Sequence, residues 1–189
     1  MIDPRHLPLF AWGDALRAGR ARRARLRRRT AVVAAGIAMV AATIALPPTP
    51  RLVWNASASA PIGLYAVAPG VPLARGDRVV AWAPAGPRRL AATRHYLPAN
   101  VPLVKRVAAV PGDRVCAVGA TITIDGQVRA MRKRRDRAGR PMPWWHGCLV
   151  LRDGALLLLN DPVDSFDGRY FGPTGERDVV GKATPLWLA

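Results

Sequence analysis

Three lysines stand among 26 arginines in this chain of 189 residues. Arginine keeps its proton in a protein, whereas lysine becomes a base once an apolar setting lowers its pKa by desolvation. Lys105 has such a setting. It lies in Leu103-Val104-Lys105-Arg106-Val107-Ala108-Ala109-Val110, a strand-like stretch whose alternation puts it on the face opposite Val104 and Arg106. Lys133 falls in a basic run and Lys182 near the end, where a solvated role is the default. Taken alone, Lys105 reads equally well as a surface lysine laying its stem over apolar neighbours.

There are also only three serines, Ser57, Ser59 and Ser165. Ser59 sits in Asn55-Ala56-Ser57-Ala58-Ser59-Ala60-Pro61-Ile62-Gly63-Leu64-Tyr65, where small neighbours leave its hydroxyl accessible and Pro61 and Gly63 enforce a sharp turn. This composition is common in loops, so alone it identifies no nucleophile. His95 and His146 are the histidines that could serve Ser59, yet no serine-hydrolase signature surrounds either, and Gly-x-Ser-x-Gly is absent. A Ser-x-x-Lys pattern is absent too, because Ile62 stands where the lysine would be. His146, Cys148 and the distant Cys116 fall short of zinc spacing, so no metal or cofactor is expected.

The elements that must position these groups begin with a membrane segment. After Arg27-Arg28-Arg29, residues 31–46 carry no charge and are closed by Pro47-Pro48. Sixteen helical residues rise about 24 Å, short of the roughly 30 Å hydrocarbon core, so spanning needs help from Thr30, snorkelling arginines or local thinning. The run is apolar all round, unlike a buried core helix with a polar face. Arginines before it keep residues 1–30 in the cytoplasm and send the chain from about residue 50 outward. That topology excludes His6 from any outer site. A cleavable signal peptide shares the basic and apolar regions, but the nearest small-x-small triplet, Ala56-Ser57-Ala58, lies too far downstream, which favours a retained anchor over 31–47.

The net charge of +17 first suggests nucleic acid, but 13 of those charges sit in residues 1–30 and 129–140. Arginines in the second segment have no strand or helix periodicity, and no aromatics interleave with them. A solvated excursion over 129–143 from one sheet edge is therefore preferred to a nucleic-acid site, with contact to anionic lipid headgroups equally open. Outside the cell membrane a disulfide between Cys116 and Cys148 can persist, closing a loop around this segment; two buried thiols are the alternative.

Beyond Trp54 the apolar residues form short Val- and Ile-rich clusters separated by Gly, Pro and Asp, which predicts a mainly β body. Asp125-Gly126 predicts a two-residue hairpin turn, and Arg152-Asp153-Gly154 repeats the device.

Four boxes then occur in order: Ser59-Ala60-Pro61-Ile62-Gly63-Leu64-Tyr65, Gly76-Asp77-Arg78-Val79-Val80, Val104-Lys105-Arg106-Val107 through Pro111-Gly112-Asp113, and Asp164-Ser165-Phe166-Asp167-Gly168-Arg169-Tyr170-Phe171-Gly172. Together they resemble the signal peptidase I family over roughly residues 52–188. The Ser-x-Pro-x-Gly-Leu-Tyr form preceded by Asn-x-Ser resembles its TraF branch, conjugative-transfer peptidases that mature a pilin; signal peptidase I proper usually has Ser-Met-x-Pro.

The resemblance implies a signal-peptidase-like β fold after one transmembrane helix, with the peptidase domain over 52–189 in the periplasm and the anchor in a bacterial inner membrane. It implies Ser59 as nucleophile and Lys105 as general base, the Ser59 N–H and Ser57 hydroxyl as oxyanion donors, and Ser165 as the residue orienting the lysine. Asp167 and Arg169 match a structural ion-pair box, with Gly168 where housekeeping enzymes commonly have Ser. The implied partner is a membrane-held precursor protein, a prepilin in this branch, and the product of such enzymes is in some cases cyclised. No nucleic-acid partner is expected. The alternatives are a general signal peptidase I and a non-catalytic membrane-anchored component of a secretion or mating apparatus.

Overall fold

The computed structural model describes residues 8–46 and 49–189. The chain divides into two compact units, Met1–Thr49 and Pro50–Ala189. In the first, a single helix, α1 (Pro8–Ala45), runs unbroken through the basic segment into the apolar one. Arginine and alanine both favour helix and no proline interrupts residues 17–45, so the chain has no cause to stop at the change in polarity. The Thr30 hydroxyl donates to the carbonyls of Leu26 (3.1 Å) and Arg27 (2.9 Å), which removes its polar cost inside the helix. Sixteen apolar residues alone are short for a bilayer, but the helix over Trp12–Ala45 contains a window of 18 residues that is, by length and composition, apolar enough to cross one. His6 and Pro47-Pro48 lie outside the described residues.

The second unit is built from two antiparallel sheets. The larger has the order β1 (Leu52–Asn55), β2 (Gly63–Ala68), β10 (Val179–Leu188), β3 (Arg78–Ala81), β4 (Leu103–Ala109) and β9 (Leu157–Leu159). The smaller has the order β7 (Gln127–Met131), β6 (Thr121–Ile124), β5 (Arg114–Val118) and β8 (Gly147–Val150). Helix α2 (Ala85–Thr93) follows β3, and one helical turn, α3 (Gly168–Phe171), follows β9. Val115, Ala117, Ile122 and Ile124 of the smaller sheet form one core with Leu157 and Leu159 of β9. Across the larger sheet Val80 and Val104 pack with Tyr65 and Val180, while Val79 and Val107 pack with Leu156 and Leu158. The sheet is thus covered on both faces around β3 and β4, which suits Val79-Val80-Ala81 and buries Lys105 among apolar neighbours.

The expected turn at Asp125-Gly126 joins β6 to β7, with positive φ at both residues (49° and 79°) as a two-residue hairpin turn of this kind needs. The second expected hairpin does not form. Asp153 and Gly154 do adopt positive φ, and the Ala155 N–H donates to the Arg152 carbonyl, but the turn passes the chain between sheets. β8 is held on β5 and β9 on β4, so the turn's local chemistry is right while its partners are set by packing elsewhere. Strand β10, central in the larger sheet, carries no clear pattern in sequence. Gly181 is required there because a Cβ would sit 2.5 Å from the Ala68 carbonyl oxygen, and Pro185 lies at a bulge in its pairing with β2.

Cys116 and Cys148 face each other in the register of β5 and β8 and form a disulfide. The bond closes a loop with a sequence separation of 32 residues, which includes the basic segment. Removing both cysteines, as Cys116→Ser with Cys148→Ser, is expected to cost about 3–4 kcal/mol in the chain-entropy account. Thermal midpoints with and without reductant check this, and two labelled thiols per unreduced chain would refute the bond.

The basic segment is largely exposed, as its composition predicts, with Arg129, Lys133, Arg134, Arg135 and Arg137 in solvent, but side-chain bonds give it a defined shape. Arg132 is buried, donating to the carbonyls of Gly119 and Trp145 and lying over the Trp144 ring at 4.3 Å. Asp136, the segment's one acid, accepts from the Tyr96 hydroxyl, from Arg140 Nε (2.7 Å) and from the N–H groups of Ala138 (2.9 Å) and Arg140 (2.8 Å). These bonds, led by that from Tyr96, hold the Asp136 carboxyl well below the usual carboxylate range. Periodicity cannot reveal such a segment because side-chain bonds, not an apolar face, fold it.

Candidate active site

Asn55 closes β1 and shapes the turn that follows. Its Nδ2 lies within hydrogen-bond distance of the carbonyls of Ser57 (3.0 Å), Ala60 (3.1 Å) and Pro61 (2.9 Å), and its Oδ1 accepts from the Ser57 N–H (3.2 Å). The Tyr65 hydroxyl donates to the Pro61 carbonyl at 2.7 Å from a fully buried ring. Gly63 lets the returning strand approach β10, where a Cβ would lie 2.1 Å from the Trp187 carbonyl oxygen. The Asn, Pro, Gly and Tyr of this box therefore act together to fix a loop whose backbone would otherwise be free.

Ser59 is presented at the middle of that loop. Its Oγ lies 3.0 Å from the Ser57 Oγ and within 3.4 Å of the Lys105 Nζ, and its N–H donates to the Ser57 Oγ at 3.3 Å. Lys105 comes from β4, directly across from Val79, and is only 2% exposed. Its Nζ donates to the Ser165 Oγ at 2.8 Å. Burial is the main influence on the amine; Asp167 opposes it and Arg169 adds to it, and the pKa is lowered to about 8.

Asn160 braces the lysine from a position that no sequence motif marks. It follows β9, donates from Nδ2 to the Val104 carbonyl (3.1 Å) and accepts at Oδ1 from the Arg106 N–H (3.1 Å). Both strand neighbours of Lys105 are thereby held. The available signal was a single amide closing the run Leu156-Leu157-Leu158-Leu159.

Asp167 and Arg169 form a buried ion pair, Nε to Oδ1 at 2.8 Å. Asp167 also caps α3 through the Arg169 N–H (3.1 Å) and accepts from the Asn160 N–H (3.0 Å). The guanidinium reaches the carbonyls of Asn160 and Val163 (3.3 Å for the latter) as well. The pair therefore ties together both ends of the loop that carries Ser165. Gly168 has little choice of side chain, since a Cβ would meet the Leu158 carbonyl at 2.8 Å.

These groups open into a cavity of about 730 Å³ lined by Ser57, Ser59, Lys105 and Ser165, with Trp54, Leu103 and Phe166 on apolar walls. His95 and His146 are exposed and neither borders it. Among the described residues no cluster of His, Cys, Asp or Glu could hold a metal. The arrangement can move a proton from one serine hydroxyl to a desolvated amine, beside two donors able to turn toward a developing oxyanion.

Residues 25–188 match the family described as signal peptidase, peptidase S26. The chain belongs to that family. A relative from Sinorhizobium fredii (strain NBRC 101917 / NGR234), "Probable conjugal transfer protein TraF", is 34% identical over 83% of this chain and 90% of its own length. The "Plasmid transfer protein TraF" of Escherichia coli is 30% identical over 70% of this chain and 80% of its own. A solved signal peptidase I from Enterococcus faecalis V583 is 21% identical, covering 60% of this chain and 98% of that one, with a TM-score of 0.36.

Proposed function

We propose that the chain is a membrane-anchored serine endopeptidase working through a Ser59/Lys105 dyad. The observation that carries this reading is the near-fully buried amine of Lys105 set between the hydroxyls of Ser59 and Ser165. Neutral Lys105 takes the proton of Ser59 as Oγ attacks the scissile carbonyl, and returns one to the leaving amine. Ser165 fixes the amine's direction. The Ser59 N–H leaves Ser57 Oγ for the oxyanion, and the Ser57 hydroxyl turns to join it. Water then releases the acyl group, unless an amine of the product itself attacks and closes a ring.

Helix α1 anchors the enzyme, with the arginine-rich end in the cytoplasm and the peptidase unit outside the inner membrane. A substrate held in the same bilayer is cut near its surface. The relatives named for conjugal and plasmid transfer support a prepilin as that substrate. The test is co-expression with candidate prepilins from the same genetic locus, reading product mass. A cleaved product is expected with active enzyme and none with Ser59→Ala; a mass one water below the linear mature peptide marks cyclisation. Failure to cleave any membrane-held precursor would leave the reading as a non-catalytic membrane-anchored component of a secretion or mating apparatus.

A further inference from the structure

The cavity beside Ser59 has one wall of unusual charge. Arg94, Lys133, Arg135, Arg137 and Arg140 line it, against two carboxylates, Asp136 and Asp164. Asp136 is matched to Arg140 and, at 3.8 Å, to Arg94. Asp164 is shared by Lys133 and Arg137, at 3.2 Å for the latter. Arg135 donates to the Gly139 carbonyl and meets no carboxylate among the described residues.

The folded segment therefore offers a fixed cationic surface, more positive than its own acids can neutralise. It is fixed because the Asp136 carboxylate accepts from the N–H groups of Ala138 and Arg140 across its turn and Arg132 anchors its start. Arg135, exposed and unmatched, and the half-matched pair of Lys133 and Arg137 stand ready for an anion. Their place on the wall of the cavity that holds Ser59 favours an anion carried by the peptide over one at a lipid surface. A guanidinium fork beside an ammonium suits carboxylates.

We infer that the 133–140 segment is a specificity wall that binds an acidic stretch of the substrate polypeptide, with Arg135 as its principal contact. This deepens the peptidase reading and rests on it for the word substrate, but the recognition can be measured without cleavage. Electrostatic selection of this kind weakens as salt screens it.

The experiment uses the full chain carrying Ser59→Ala in neutral detergent, with three fluorescent alanine-rich peptides bearing a Glu-Glu-Glu, Gln-Gln-Gln or Lys-Lys-Lys block. Anisotropy is expected to rank their affinities in that order, with about tenfold between the first and second at low salt, shrinking as salt rises. Arg135→Glu is expected to abolish that preference and to improve binding of the lysine peptide, which general damage to the fold would not do. The same swap in the active chain should shift relative kcat/KM for cleavable versions of the peptides away from the glutamate block and toward the lysine block. Equal binding of the three peptides overturns the wall even if cleavage proceeds normally. Preference for the acidic peptide without any cleavage by the active chain supports the wall and counts against the peptidase. If Arg135→Glu instead alters turnover only when phosphatidylglycerol is added, the cations face lipid and the inference is wrong.

Discussion

Lys105→Arg is expected to lower turnover by about 10²–10⁴-fold while the chain stays folded and membrane-bound. Arginine retains the charge but cannot accept the Ser59 proton. Ser59→Ala should remove cleavage altogether. Lys105→Met separates activity from stability. A lysine whose pKa falls from 10.5 unfolded to about 8 folded costs the native state roughly 3 kcal/mol wherever both states are protonated. That cost is full below pH 8 and fades as pH rises toward 10.5, because the native state sheds its proton first. Lys105→Met should therefore be inactive yet more resistant to denaturant at pH 7, with its advantage lost near pH 10.5. Near-normal turnover by Lys105→Arg would remove the dyad from the account.

The largest loss of stability is expected from breaking the Asp167–Arg169 pair. Asp167 is wholly buried and Arg169 is 2% exposed, so removing either leaves a charge without its partner in the interior. Asp167→Asn or Arg169→Met is expected to cost about 3–5 kcal/mol. The double change Asp167→Leu with Arg169→Met should cost clearly less than the two single losses added together, since no charge is then stranded. Denaturant midpoints of the four proteins give the answer. Single losses under about 1 kcal/mol, as for an exposed pair, would mean that the guanidinium reaches water and does not brace the Ser165 loop.

How much of this was legible depended on what holds each part. Strands β2, β3, β5 and β6 are short apolar runs between turn residues, and their chemistry is local, so the residues announce them. β10 is held by neighbours on both sides and interrupted by Gly181 and Pro185, so its identity as a central strand exists only in the assembled sheet. The same division runs through the site. Ser59, Lys105 and Ser165 stand out because serine and lysine are scarce here, and the fold brings both hydroxyls within 3.4 Å of the Lys105 amine. Asn55 and Asn160 do comparable work on the backbone around them, but an amide binding main chain leaves no periodic mark. In the basic segment net charge rightly suggests a solvated run, but its shape, decided by one acid, one tyrosine and a buried arginine, leaves no such mark.

The pH dependence of kcat/KM bears most directly on the claim that a lysine is the base. With a cleavable peptide and the full chain in detergent, activity should rise with pH through one ionisation near 8, the value to which burial lowers Lys105. That limb should be unmoved in His95→Ala and His146→Ala. Ser165→Ala should lower kcat more than it raises KM. A rising limb near pH 6.5 that disappears in either histidine variant would contradict the account, because the proton of Ser59 would then pass to an imidazole.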